Sequence, residues 1–190
     1  LMKSYPFAIV FSLTAVVVGL VLQLSLGSIS KSWFSFPYNV VGGAVFVLLT
    51  TTVYFLFRKT NFILRFSSAP FAIVTVVTLG VLTIGLGSIN VKPNELSGFW
   101  GKWGLDDLTK TWYFGLVFLL ALMNLWFSIL KRSMVYQRKN IAFLLNHFGL
   151  WLVMFAGVLG QGDIVRLTMD LKKDIPQWQA KTAEQEVVNL

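Results

Sequence analysis

Five stretches of this chain, residues 4–30, 32–57, 66–91, 111–130 and 140–162, contain no Asp, Glu, Lys or Arg. Each is long and apolar enough for a helix of about 20 residues, the length that crosses roughly 30 Å of hydrocarbon. Where no water reaches the backbone, a helix is the only local way to pair every N–H and C=O, so the pattern predicts helices at about 6–27, 39–57, 69–89, 111–131 and 141–160. The runs are continuously apolar rather than alternating, which argues against a β-barrel. A cleaved signal peptide does not fit the first run, whose apolar length is about twice a usual signal core and which is followed by four more.

The charges between these runs separate by sign. The N-terminus and the gaps at 58–65 and 131–139 carry Lys3, Arg58, Lys59, Arg65, Lys131, Arg132, Arg138 and Lys139 and no acid. The remaining gaps and the tail carry eight basic residues and all eight acidic ones. Lys/Arg excess in short loops marks the cytoplasmic side. The expected fold is therefore all-α: a polytopic membrane helix bundle with five transmembrane helices, N-terminus in and C-terminus out. Only 13% of residues are charged, about half the share in a soluble domain. The pI near 9.9 does not imply nucleic acid, because the basic residues abut apolar segments, where topology determinants and anionic-lipid contacts belong. With no cysteine, the chain has no disulfide, thiolate metal site or thiol chemistry.

Within the spans, Pro6-Phe7-Ala8-Ile9-Val10 recurs as Pro70-Phe71-Ala72-Ile73-Val74, and Leu26-Gly27-Ser28-Ile29 recurs as Leu86-Gly87-Ser88-Ile89. Either a helical hairpin was duplicated, or two Leu/Val/Gly-rich helices converged by chance. Pro6, Pro37 and Pro70 stand near helix starts, where a missing N–H costs little. Trp33, Phe34, Phe36, Tyr38, Trp112 and Tyr113 crowd span ends as an interfacial belt does. Gly42, Gly43, Gly80, Gly85, Gly149 and Gly157 suit close helix packing. After residue 160 charges return, and Ile164–Leu171 partly alternates as a strand would. The organisation expected is a two-helix hairpin over 1–66, a three-helix core over 67–160, and an extracytoplasmic tail over 161–190 that begins a soluble domain.

Few side chains inside the spans can carry chemistry. His147, the only histidine, lies about two turns inside the fifth span. An ionisable group at that depth is costly and faces a partner or a cavity. A neutral imidazole there can ligate a metal or haem iron or relay a proton; equally, it can make a packing hydrogen bond to Asn124 or to a backbone carbonyl. Asn124 reads as interhelical glue. Asn146 points about 100° away from His147 on a helix of about 3.6 residues per turn, and Gln23 falls near a span end, where polarity is cheap. The loop Gly98-Phe99-Trp100-Gly101-Lys102-Trp103-Gly104-Leu105-Asp106-Asp107 either covers a flat cofactor or lies at the headgroup level, and Asp106 and Asp107 are candidate helix caps. No phosphate loop, zinc-protease motif or triad spacing occurs.

From Leu105 onward the chain resembles a known family. Gly104-Leu105-Asp106-Asp107-Leu108-Thr109-Lys110-Thr111-Trp112-Tyr113-Phe114, then Leu119-Leu120-Ala121-Leu122-Met123-Asn124-Leu125 and Lys131-Arg132, are similar to the second span of the ResB (CcsB) family of System II cytochrome c biogenesis. Phe143-Leu144-Leu145-Asn146-His147-Phe148-Gly149-Leu150-Trp151 resembles its third span, with its histidine-glycine signature. Leu159-Gly160-Gln161-Gly162-Asp163-Ile164-Val165-Arg166-Leu167-Thr168-Met169 looks like the start of its large extracytoplasmic domain. The likeness covers about 67–190 and is closest to a Bacteroidetes-type variant with extra N-terminal helices. The first two spans lie outside the family's usual three-span core, and the large domain does not follow, so the chain is expected to be a piece of a longer protein.

The resemblance implies a multi-pass protein of the bacterial inner membrane, working with a ResC/CcsA-type partner to move haem outward and attach it to apocytochrome c. It implies haem b as cofactor and His147 as the haem-iron ligand near the cytoplasmic entrance. It implies no catalytic residue in this chain: the haem lyase chemistry belongs to the complex. The competing reading is a non-catalytic scaffold that anchors a partner and a downstream soluble domain. A transporter or quinone-reactive subunit needs more polar residues along a pathway than this chain offers.

Overall fold

The computed structural model describes residues 4–87, 99–105, 107–135, 137–164, 167–169, 179–182 and 187–189. The chain is predominantly helical: α1 (Ser4–Leu26), α2 (Tyr38–Phe57), α3 (Asn61–Phe66), α4 (Ala69–Gly87), α5 (Phe99–Lys102), α6 (Trp112–Ser133) and α7 (Ile141–Leu159). Three short strands follow, β1 (Leu167–Thr168), β2 (Gln179–Thr182) and β3 (Val187–Asn189). They pair antiparallel in that order, Leu167 opposite Thr182 and Ala180 opposite Val188. The strand expected at 164–171 is thus present as its central pair, within a small sheet that makes the tail an exception to the all-α reading.

The five expected helices stand where the charge-free runs put them. Four, α1, α2, α6 and α7 with its following 3-10 turn, are long and apolar enough to cross a membrane. The fifth, α4, is equally apolar but shorter by that measure. Their outward surfaces are greasy: Val10, Leu13, Val17, Leu48, Leu56, Val76, Ile84, Leu145 and Val153 are all exposed. An all-round apolar helix with such a surface suits lipid rather than water.

Cross-helix contacts set the directions. Trp112 at the start of α6 meets Gln23 and Gly27 at the end of α1, so these two helices run antiparallel. Asn124 in α6 reaches Phe66, just before α4. Asn39 at the start of α2 bonds the last carbonyl of α7 at 2.9 Å, while Arg58 beyond the end of α2 touches Met134 beyond the end of α6 at 3.1 Å. Successive long helices therefore alternate in direction. One end of the bundle gathers Arg58, Lys59, Arg65, Lys131, Arg132 and Arg138; the other gathers Lys31, Asp107, Lys110 and Asp163.

Helix α6 is the hub, packed on α1, α2, α4 and α7, and buries Tyr113, Val117, Ala121, Leu122, Asn124, Phe127 and Ile129. At the basic end a cluster of Phe66, Phe71, Phe127, Tyr54, Ile63 and Ala8 is ringed by Phe7 and Phe11, with the Phe66 and Phe71 rings 4.3 Å apart. A second cluster, Leu122, Ile129 and Trp151, joins α6 to α7 and to Phe46 of α2. Small residues permit the closest approaches. A Cβ on Gly19 would lie 2.2 Å from Tyr113 Cα, and one on Gly43 would lie 2.7 Å from Leu159 Cδ1. A Cβ on Gly42, Gly80, Gly85, Gly149 or Gly157 meets nothing within 4 Å, so among the described residues the packing role expected of them is not used.

The opposite end is tied by side chains reaching backbone. Gln23 is 1% exposed. Its Oε1 accepts from Trp112 N at 3.2 Å, and its Nε2 donates to Ser28 Oγ at 3.3 Å and Lys102 O at 3.5 Å. This corrects the expectation of a cheap polar side chain near solvent: Gln23 satisfies an N–H of the first turn of α6, which has no side-chain cap of its own. Asp107 caps the 3-10 turn Leu108–Lys110 instead, accepting from Thr109 N at 3.2 Å and Thr109 Oγ1 at 2.6 Å, with Lys110 Nζ at 2.9 Å. Asp106 lies outside the described residues. Asp163 takes Phe36 N at 2.9 Å and Asn39 Nδ2 at 2.7 Å, locking the start of α2 onto the end of α7.

Candidate functional site

His147 stands at the end of the second turn of α7, roughly 9 Å along the axis from the helix start at about 1.5 Å per residue. It is half-buried. Its Nδ1 donates to Phe143 O, one turn back, at 2.9 Å. That bond puts the proton on Nδ1 and leaves the Nε2 lone pair as the position for a ligand or an acceptor. The partner is a backbone carbonyl of the same helix, not Asn124. The Phe143 ring stacks on the imidazole at 3.6 Å and 23°, fixing its plane.

The imidazole lines a cavity of about 660 Å³ between α4, α6 and α7, within the range of roughly 300–1,000 Å³ common for small-molecule sites. Ala72, Val76, Leu125, Leu150 and Met154 form its apolar walls. Thr75, Asn124 and Ser128 line it too, and Lys131, Arg132, Gln137 and Asn140 line its basic end. Asn124 is 3% exposed and donates one Nδ2 hydrogen to Phe66 O at the end of α3, as interhelical glue. Thr75 hydroxyl returns to Phe71 O at 2.9 Å and Ser128 hydroxyl to Asn124 O at 2.9 Å. Of these side chains His147 is the one that offers a nitrogen lone pair, at Nε2, to an occupant at that depth. Asn146 lies on the exposed side of α7 and does not join it.

At the basic end, Arg132 Nη1 donates to Asn140 Oδ1 at 3.3 Å, and its guanidinium sits 5.0 Å over the Phe143 ring. Asn140 is itself 4% exposed and donates to Val135 O at 2.8 Å. Arg132, Phe143 and His147 therefore form one ladder down the cavity wall. Neither Arg132 nor Asn140 was singled out from the sequence as a site residue. The signal available was only the basic pair at 131–132 facing a histidine one short turn and two helical turns later.

A second, almost wholly apolar cavity of about 560 Å³ lies toward the other end, against Trp33, Trp112, Phe114, Phe118 and Gly157, and shares Met154 with the first. Trp33 and Trp112 meet edge to face at 5.8 Å. Trp103 and the α5 segment pack above α6 through Tyr113 Oη, which donates to Trp103 O at 3.2 Å. No group of three or more metal-ligating side chains occurs among the described residues, so a resident multidentate metal site finds no support there. One imidazole in an apolar cavity does fit the donor set of a haem with a single ligand from this chain.

Comparison with protein-family models, with curated proteins and with solved structures finds no match to this chain. The likeness to the ResB family accordingly rests on the sequence motifs around residues 104–169.

Proposed function

We propose that this chain crosses a bacterial inner membrane five times, with its basic end in the cytoplasm, and serves as a haem-handling subunit of a cytochrome c synthetase complex. The observation that carries the reading is His147: a single imidazole, held as the Nδ1–H tautomer, facing a cavity with apolar walls and a cationic mouth. Such a site suits a flat, apolar macrocycle with acidic edges. The cavity's basic end lies at the Lys/Arg-rich end of the bundle, which the charge bias assigns to the cytoplasm, so it would receive haem b from inside. When bound, haem supplies iron and the vinyl groups that are joined to apocytochrome c. This chain's part is to ligate through His147 Nε2, to hold the imidazole plane through Phe143, and to keep water out with Leu125, Leu150 and Met154. The attachment itself falls to the complex with a ResC/CcsA-type partner, not to a catalytic residue here.

The test is a co-expressed complex with His147→Ala or His147→Gly, read by the haem Soret band. A loss of low-spin haem, restored by added imidazole, is expected; unchanged haem content and spectrum would remove the ligand role. Sidedness has its own test. The chain has no cysteine, so single cysteines at Met134 and at Gln161 report directly on exposure, and labelling of both from one compartment would refute the five-span topology.

A scaffold is the competing reading, favoured by one fact: the His147 ring already has a hydrogen bond and a stacking partner within α7. In that case the partner-bound protein is colourless.

A further inference from the structure

Among the described residues no acid pairs with the basic end of the His147 cavity. Between residues 108 and 162, and between 4 and 94, there is no Asp or Glu at all, yet Lys131 and Arg132 both line the mouth. Arg132 is also held in place. One guanidinium N–H is taken by Asn140 Oδ1, the buried Asn140 is anchored on Val135 O, and the guanidinium plane rests over Phe143. An arginine that is oriented but not neutralised presents its remaining N–H groups as a fork for a carboxylate. Phe143 stacks on His147, so the fork and the imidazole belong to one wall, one ring apart.

We propose that Arg132, assisted by Lys131, reads the carboxylates of the cavity's occupant, and that Asn140 is the residue that positions Arg132. This rests on the haem reading of the same cavity and adds its polarity. The porphyrin enters with its acidic edge toward the basic end and its apolar edge toward Leu150 and Met154, so that the ring lies against His147. Charge complementarity selects a dicarboxylate over a neutral ring of the same shape. An anionic lipid headgroup would be drawn to the same mouth but would gain nothing from the stacked imidazole.

The experiment uses the full chain in discs of phosphatidylcholine, titrated with metal-free protoporphyrin and with its dimethyl ester, both followed by fluorescence. Without iron there is no ligation, so the carboxylate effect stands alone. The diacid is expected to bind about tenfold or more tightly than the diester, as a charge-assisted hydrogen bond allows. Arg132→Gln should remove most of that preference; Lys131→Gln, at an exposed position, should reduce it and guards against a folding defect in the first variant. His147→Ala should keep the preference while losing the imidazole-ligated haem spectrum. Failure of the haem reading therefore shows in the iron spectrum and failure of this proposal in the diacid-to-diester ratio. Equal affinities in the wild type, or a ratio unmoved in both Arg132→Gln and Lys131→Gln, would overturn it. Loss of the ratio in discs containing phosphatidylglycerol would assign the mouth to lipid phosphate and overturn it equally.

Discussion

Gly19→Ala tests how the hub helix is held. An alanine Cβ there would sit 2.2 Å from Tyr113 Cα, 2.6 Å from Tyr113 N and 2.7 Å from Tyr113 Cβ. The first two atoms are backbone of α6 and cannot rotate away, so α1 and α6 must separate by more than an ångström at this level. Gln23 lies one helical turn further along α1, and its 3.2 Å bond from Trp112 N would stretch out of range. Overpacking of this kind costs roughly 1–3 kcal/mol, and a lost buried hydrogen bond adds about 1 kcal/mol. Against that, Gly→Ala inside a helix returns roughly 0.5–1 kcal/mol of backbone entropy. A net loss of about 1–3 kcal/mol is expected. Gly42→Ala supplies the control, because nothing lies within 4 Å of its added Cβ, and it should be neutral or slightly stabilising. Both are to be measured as unfolding free energies in mixed micelles against a denaturing detergent. Equal stability of Gly19→Ala and Gly42→Ala would refute the close α1–α6 contact.

Other outcomes follow from the same structure. Gln23→Leu keeps the volume but strips the acceptor from Trp112 N in a site that is 1% exposed; a destabilisation of about 1–3 kcal/mol is expected, and hydrogen exchange at Trp112 N should speed up, whereas unchanged exchange would exclude the cap. At Asp107, burial alone would raise the carboxyl, but hydrogen bonds from Thr109 and Lys110 and the Lys110 charge outweigh it and hold the group below its usual range. A depressed folded value means the contribution is present above the unfolded value near 3.9 and is lost as pH falls through the folded one. Protection of the 108–111 turn should therefore decline on acidification below about pH 4, and Asp107→Asn should abolish that dependence. An identical acid profile in Asp107→Asn would refute it.

Much of the fold was legible in the residues, and the reason is local. The length of a charge-free run is a property of consecutive residues, and a helix pairs its backbone within that same run. The five long helices accordingly fall within a few residues of their expected limits. Ends were legible wherever one residue type forces them: Gly27, at φ +76°, closes α1, and Pro6 and Pro70 lie in the first turns of α1 and α4. His147 stood out because a lone imidazole in an apolar run is rare. Gln23, Asn39 and Arg132 did not, because each acts on a partner far away in sequence, at residues 112, 159–163 and 140–143 respectively.

Facing is the information that the linear chain withheld. These helices are apolar on all sides, so their residues carry almost no stripe to say which surface meets a neighbour. Only packing decides that α6 is central, that Gly19 rather than Gly42 is the contact glycine, and that His147 shares a wall with Arg132. Helix positions and the division of charge were determined by composition along the chain, since hydrogen bonding and solvation act residue by residue. The cavity, its oriented cation and its single imidazole were decided by tertiary structure, because each depends on shape fit between surfaces of equal hydrophobicity.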